Sequence, residues 1–119
     1  MYGIPYIWCS NNLTTAMITQ CRLYRETTGD DRYAEMEAAL RDWLFGCNPW
    51  GTSMIVGLPG WGDAPLYPHS SYVVLGLGNT PGGLVDGPVY GSIFNSLLGV
   101  TITEPDLYAK FQSDLVVYH

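Results

Sequence analysis

The chain has 119 residues, of which 47% are hydrophobic, 13% charged and 13% aromatic. That length suits one domain, and the apolar share excludes a disordered tail. Five basic residues against 11 acidic ones leave a net charge of −6, which argues against a nucleic-acid partner.

The ends and the cysteines narrow the reading further. Met1-Tyr2-Gly3-Ile4-Pro5 lacks a basic stretch followed by an apolar one, so no signal peptide is visible. No apolar run approaches the roughly 18 residues that span a bilayer, so no membrane partner is expected. The final Asp114-Leu115-Val116-Val117-Tyr118-His119 is apolar and reads as a sequence stopped within an element. Cys9, Cys21 and Cys47 are an odd number, with no C-x-x-C spacing and His69 as the sole internal histidine. They are expected to be small buried thiols, and neither a metal nor another cofactor is expected.

The N-terminal third predicts two helices. After an extended Ile4-Pro5-Tyr6-Ile7-Trp8 segment, Ser10-Asn11-Asn12 offers N-cap residues. Leu13, Met17, Gln20/Cys21 and Tyr24 then form an apolar stripe, and Gly29 is a natural C-cap. Asp30 or Asp31 is expected to cap a second helix, with Tyr33, Met36, Leu40, Trp43 and Leu44 on its buried side and Gly46 at its end. So short a connection predicts antiparallel packing of the pair.

The texture changes at residue 46. Twelve of the 14 glycines and six of the eight prolines lie in 46–99, so regular structure cannot run throughout. A loop region over about 46–88 is expected, with short extended pieces at Met54–Leu58 and Tyr72–Leu77. A loop of this length in a compact domain is usually functional. Pro88–Leu98 is expected to form a third helix, with Val89, Ile93, Phe94, Leu97 and Leu98 buried.

Several patterns bear on chemistry. Gly76-Leu77-Gly78-Asn79-Thr80-Pro81 begins like a dinucleotide fingerprint, but Pro81 stands where the third glycine belongs. Glycosidic hydrolysis needs two carboxyls facing each other across a sugar, roughly 5–9.5 Å apart. The adjacent Asp30 and Asp31 do not meet that need, whereas Asp63 and Asp86 lie in the glycine-rich loops. His69, in Tyr67-Pro68-His69-Ser70-Ser71-Tyr72, is placed to donate to a sugar hydroxyl or to tie the loop to a backbone carbonyl. Trp8, Trp50 and Trp61 are the loop indoles available for stacking, while Trp43 belongs to a helix stripe.

Four phrases together resemble glycoside hydrolase family 9, the inverting cellulase family. Tyr6-Ile7-Trp8-Cys9-Ser10-Asn11 is similar to its Trp-x-Ser-Asn entry to a barrel helix. Asp42-Trp43-Leu44-Phe45-Gly46-Cys47-Asn48-Pro49-Trp50-Gly51-Thr52-Ser53-Met54-Ile55-Val56-Gly57 resembles its Leu-Gly-x-Asn-Pro-x-Gly-x-Ser-(Tyr/Met)-x-x-Gly segment. Pro68-His69 is similar to the start of its Pro-His-His-Arg motif, and Gly82-Gly83-Leu84-Val85-Asp86-Gly87-Pro88 to a later Gly-x-Leu-Val-x-Gly-Pro turn.

The resemblance implies an all-α fold, part of an (α/α)6 barrel, with residues 1–119 an incomplete segment of one catalytic domain. It implies a β-glucan or oligosaccharide substrate bound by His69 and Trp8, and secretion or periplasmic export of the complete enzyme. It carries over no catalytic residue. The family's base lies in an Asp-Ala-Gly-Asp motif upstream of this region and its acid in an Asn-Glu motif downstream, and neither motif occurs here. Ser70 and Ser71 also stand where a second histidine and a nearby arginine are expected. The alternative is a non-catalytic carbohydrate-binding or inert piece. Barrel-helix faces left uncovered in it are expected to drive self-association.

Overall fold

A computed structural model describes residues 4–58, 60, 62, 75–76, 80–89 and 115–117. Helix dominates their regular structure. Helix α1 spans Ser10–Thr28 and α2 spans Ala34–Leu44, while β1 (Gly87–Val89) pairs antiparallel with β2 (Leu115–Val117). Gly87 stands opposite Val117, and Val89 opposite Leu115.

Helix α1 is rich in threonine, a poor interior helix former, yet it runs unbroken. The hydroxyls of Thr14, Thr15, Thr19 and Thr28 each donate to the carbonyl four residues earlier, so these side chains are satisfied within the helix, although such back-bonding does not itself strengthen it. Gly29, in the left-handed region, closes α1 as expected by donating its N–H to the Arg25 carbonyl at 2.9 Å. Helix α2 ends in a Schellman turn. Cys47 N–H donates to Asp42 O at 2.9 Å and Gly46 N–H to Trp43 O at 3.3 Å. Gly46 takes φ 113°, which a side chain would resist.

The two helices pack as an antiparallel hairpin, late α1 against early α2. Tyr24 meets Tyr33 edge-on at 5.1 Å between centroids, and Arg25 Nη2 lies 3.2 Å from Glu37 Oε2. The expected α1 stripe holds at Cys21, which is buried, and at Tyr24, which is half-buried, but its first half is one residue out of phase. Leu13 and Met17 are exposed, whereas Asn11, Thr14 and Cys21 are buried and Ile18 packs on the core. A one-residue step turns a helix by about 100°, so tertiary contacts chose the neighbouring, more polar face. In α2 the stripe holds for Leu44, with Leu40 and Trp43 half-buried, but Tyr33 and Met36 are exposed. Neither aspartate caps α2. Tyr33 occupies the cap position, and Asp30 instead organises the turn by accepting the Arg32 N–H at 3.0 Å.

The core forms where the end of α2 meets the loops. Leu44, Trp50, Met54, Val56 and Val85 are its buried members, with Tyr6, Ile18, Trp43 and Leu84 packed around them. Full burial of such side chains contributes about 1.5–3 kcal/mol each. Trp50 meets Trp43 edge-on at 6.1 Å and Tyr6 at 5.8 Å, arrangements worth about 0.5–1.5 kcal/mol beyond burial. Asn48 holds the intervening loop. Its Nδ2 donates to Trp43 O and Thr52 O at 2.9 and 2.7 Å, and its Oδ1 accepts from Trp50 N at 3.1 Å.

Of the expected extended pieces, Met54–Leu58 is not a strand: Ile55 forms an isolated bridge with Leu84, and residues 56–57 turn so that Leu58 bridges back to Ile55. Val85 N–H donates to Met54 O, Val56 N–H to Gly83 O and Gly82 N–H to Val56 O, at 3.0, 2.9 and 2.8 Å. In the second piece Leu75 and Gly76 form a turn instead, and its other residues lie outside the described set. The expected third helix begins wrongly. Pro88 and Val89 belong to β1, where the Pro88 carbonyl accepts the Ser10 hydroxyl at 2.9 Å; residues 90–98 lie outside the described set. The thiols also differ from expectation. All three are free, but only Cys21 is buried, and Cys9 and Cys47 are exposed. No described helix is long and apolar enough to cross a membrane.

Candidate functional site

Of the residues singled out for ligand contact, Trp8 is described and half-buried. His69, Trp61 and Asp63 lie outside the described residues. Trp50 is not a loop indole open to a ligand: it is 8% exposed, in the core. The segment leading to Trp8 is bent rather than extended, because Ile7 N–H donates back to Pro5 O at 2.9 Å.

What fixes the surroundings of Trp8 is a clasp between the start of α1 and residues 85–88. A helix start leaves four N–H groups without intrahelical partners. Here a distant segment supplies the acceptors. Asp86 Oδ2 accepts the Cys9 N–H at 2.9 Å, and the Asp86 carbonyl accepts the Asn11 N–H at 3.0 Å. The side chains expected to cap the helix reach outward instead: Asn11 Nδ2 donates to Val85 O at 2.8 Å, and Ser10 Oγ to Pro88 O. All four residues 10, 11, 86 and 87 are buried.

Cys9 takes the cap position without a side-chain capping bond, at φ 62°. Among the described residues it is the one non-glycine residue at positive φ, a conformation that costs on the order of 1–3 kcal/mol. The Asp86 carboxylate also pushes the Cys9 thiol pKa up, through a hydrogen bond, loss of solvation and charge repulsion. That thiol is therefore held in its protonated, weakly nucleophilic form.

The clasp accounts for Asp86, one of the two acids in the glycine-rich loops. At 4% exposed, its carboxylate is engaged with backbone at the positive end of a helix. Sequence reasoning missed the clasp. Its signal was an acid directly before a Gly-Pro step, where a solvated loop carboxylate is the ordinary expectation. Among the described residues no three His, Cys, Asp or Glu side chains gather to hold a metal ion.

The four phrases noted in the sequence thus meet at real structural junctions in three cases: the α1 start, the Asn48 loop and the 82–88 turn. No curated protein and no solved structure gives a match to the chain. The family model for glycosyl hydrolase family 9 matches residues 1–114. Since that match covers nearly the whole sequence, the chain belongs to glycosyl hydrolase family 9.

Proposed function

We propose that this chain is a segment of a β-glucan hydrolase of the cellulase, endoglucanase kind. Its helices would form part of one (α/α)6-barrel catalytic domain, and the complete enzyme would be secreted or periplasmic. The reaction would be a single displacement with inversion. One carboxylic acid protonates the leaving oxygen while a carboxylate activates water on the opposite face. Both carboxyls would come from outside residues 1–119. This chain would hold a sugar ring by stacking on Trp8 and hydrogen bonding to His69, setting the scissile bond against those carboxyls. The observation that carries the reading is the family match over residues 1–114.

The test is made in two steps. Genomic sequence on either side of the reading frame should encode an in-frame Asp-Ala-Gly-Asp upstream and an Asn-Glu soon after His119. In the protein so defined, His69→Ala should lower kcat/KM about 5- to 150-fold, since a sugar hydroxyl loses a partner worth about 1–3 kcal/mol. Absence of both flanking motifs would favour a non-catalytic carbohydrate-binding piece. Unchanged kinetics with a large drop in melting temperature would make His69 a structural tie.

A further inference from the structure

We infer that Asp86 is a positioning residue for Trp8, holding the indole ready for a neutral sugar ring; this rests on the reading of Trp8 as a substrate contact. The Cys9 N–H that Asp86 accepts at 2.9 Å belongs to the peptide unit whose carbonyl is that of Trp8. Fixing that unit fixes the backbone from which the indole projects. The next rotation along the chain, Cys9 φ at 62°, lies in a region that a non-glycine residue leaves when free to do so. It persists because the clasp surrounds it. Asp86 grips on one side, and the buried Ser10 and Asn11 anchor the following residues to Pro88 and Val85.

The arrangement has the form expected of a support for a stacking residue. Stacking on a sugar needs one orientation of the indole, and the backbone position from which it projects helps to set that orientation. A buried carboxylate at a helix start gives a strong, directional acceptor. It sits 77 residues away in sequence, so it joins the indole to the 82–88 turn rather than to its own segment.

The test separates position from folding. Tryptophans are labelled with 5-fluorotryptophan, and the Trp8 resonance is assigned from Trp8→Phe. In Asp86→Ala the Trp8 signal should shift and sharpen toward that of a mobile indole, while Trp43 and Trp50 keep theirs. Asp86→Asn, which retains an acceptor oxygen, should restore the wild-type Trp8 signal. Cys9→Gly allows the left-handed cap without strain, so Cys9→Gly with Asp86→Ala gives a second, more stable background in which the same change should appear. An unmoved Trp8 signal in either folded alanine variant would overturn the inference. So would collapse of the Trp43 and Trp50 signals in both backgrounds, which would make Asp86 a general structural residue. In the enzyme containing this segment, Asp86→Ala should raise KM on the order of tenfold with kcat retained, and add nothing to Trp8→Ala. A Trp8→Ala variant with unchanged KM would defeat the substrate-contact reading alone, leaving the spectroscopic result to stand or fall separately.

Discussion

Gly87 faces Asn11 with no room for a methyl group: a Cβ on Gly87 would lie 2.6 Å from the Asn11 Cγ and from the Ser10 Oγ. Those two side chains are anchored by hydrogen bonds to Val85 and Pro88 and cannot yield cheaply. Gly87 also takes φ 100°, a strained value for any residue with a side chain. Gly87→Ala should therefore destabilise the chain by about 2–4 kcal/mol. Urea unfolding followed by tryptophan fluorescence gives the value; a change within about 0.5 kcal/mol would show the clasp to be loose.

The Arg25–Glu37 pair predicts an asymmetry. The Glu37 side chain is 7% exposed and that of Arg25 is 39% exposed. Removing Arg25 leaves a buried carboxylate without its cation, whereas removing Glu37 leaves a guanidinium that water can reach. Arg25→Met should cost about 2–3 kcal/mol, and Glu37→Met about 1 kcal/mol or less. Equal losses in the two variants would mean that water already screens Glu37 in the hairpin.

These two sites show what could be read in advance. Helix ends marked by Gly29 and Gly46 were legible, because a left-handed residue after a helix is a local requirement that glycine meets locally. The face of α1 was legible at Cys21 but not at the helix start, because Asn11 is buried against residues 85–87, which no local period encodes. Trp50 was misplaced for the same reason: a Pro-Trp-Gly step reads as an exposed loop, yet Asn48 folds that loop onto Trp43 and Tyr6.

Acid should loosen the interhelical turn through Asp30. Its carboxylate accepts the Arg32 N–H at 3.0 Å and the Tyr24 hydroxyl at 3.0 Å, and pairs with the Arg32 guanidinium. The Arg32 backbone bond, with help from Tyr24 and the guanidinium, holds its pKa below the ordinary aspartate value. A lowered folded-state pKa adds stability above the unfolded value and loses it as pH falls through the folded one. The loss should begin below about pH 4 and should be absent from Asp30→Asn. Parallel acid titration of both chains by circular dichroism checks this; identical acid slopes would remove Asp30 from the account.

Leu13, Met17, Tyr33 and Met36 are exposed on the helical hairpin. In a closed barrel such faces would lie against neighbouring helices. In the isolated chain they should bind a hydrophobic dye or drive self-association, since monomers rarely expose apolar patches beyond a few hundred Å2. Replacing Leu13, Met17 and Met36 together by Gln should reduce dye binding with little change in melting temperature. A monodisperse wild-type monomer that melts sharply and binds no dye would contradict the prediction.

The isolated chain should hydrolyse no β-1,4-glucan above background. Inversion requires an acid and a base together, on opposite faces of one bond. The described acids are committed elsewhere or set apart. Glu37 faces Arg25, Asp86 holds the Cys9 N–H, Asp30 organises a turn and Glu26 pairs with Arg22. Asp31, Glu35 and Asp42 are exposed on the helical hairpin, away from residues 8–9 and 82–88. Asp63 is the remaining acid close in sequence to His69, with Glu104, Asp106 and Asp114 further along, and none of the four stands in an Asp-Ala-Gly-Asp or Asn-Glu motif. A reducing-sugar assay on a soluble cellulose derivative, run with the purified chain beside Asp63→Asn, decides the matter. Activity that disappears with Asp63→Asn would overturn the prediction and make this a minimal glycosidase. Activity that survives the substitution and separates from the chain on a further purification step would belong to a contaminating enzyme and leave the prediction intact.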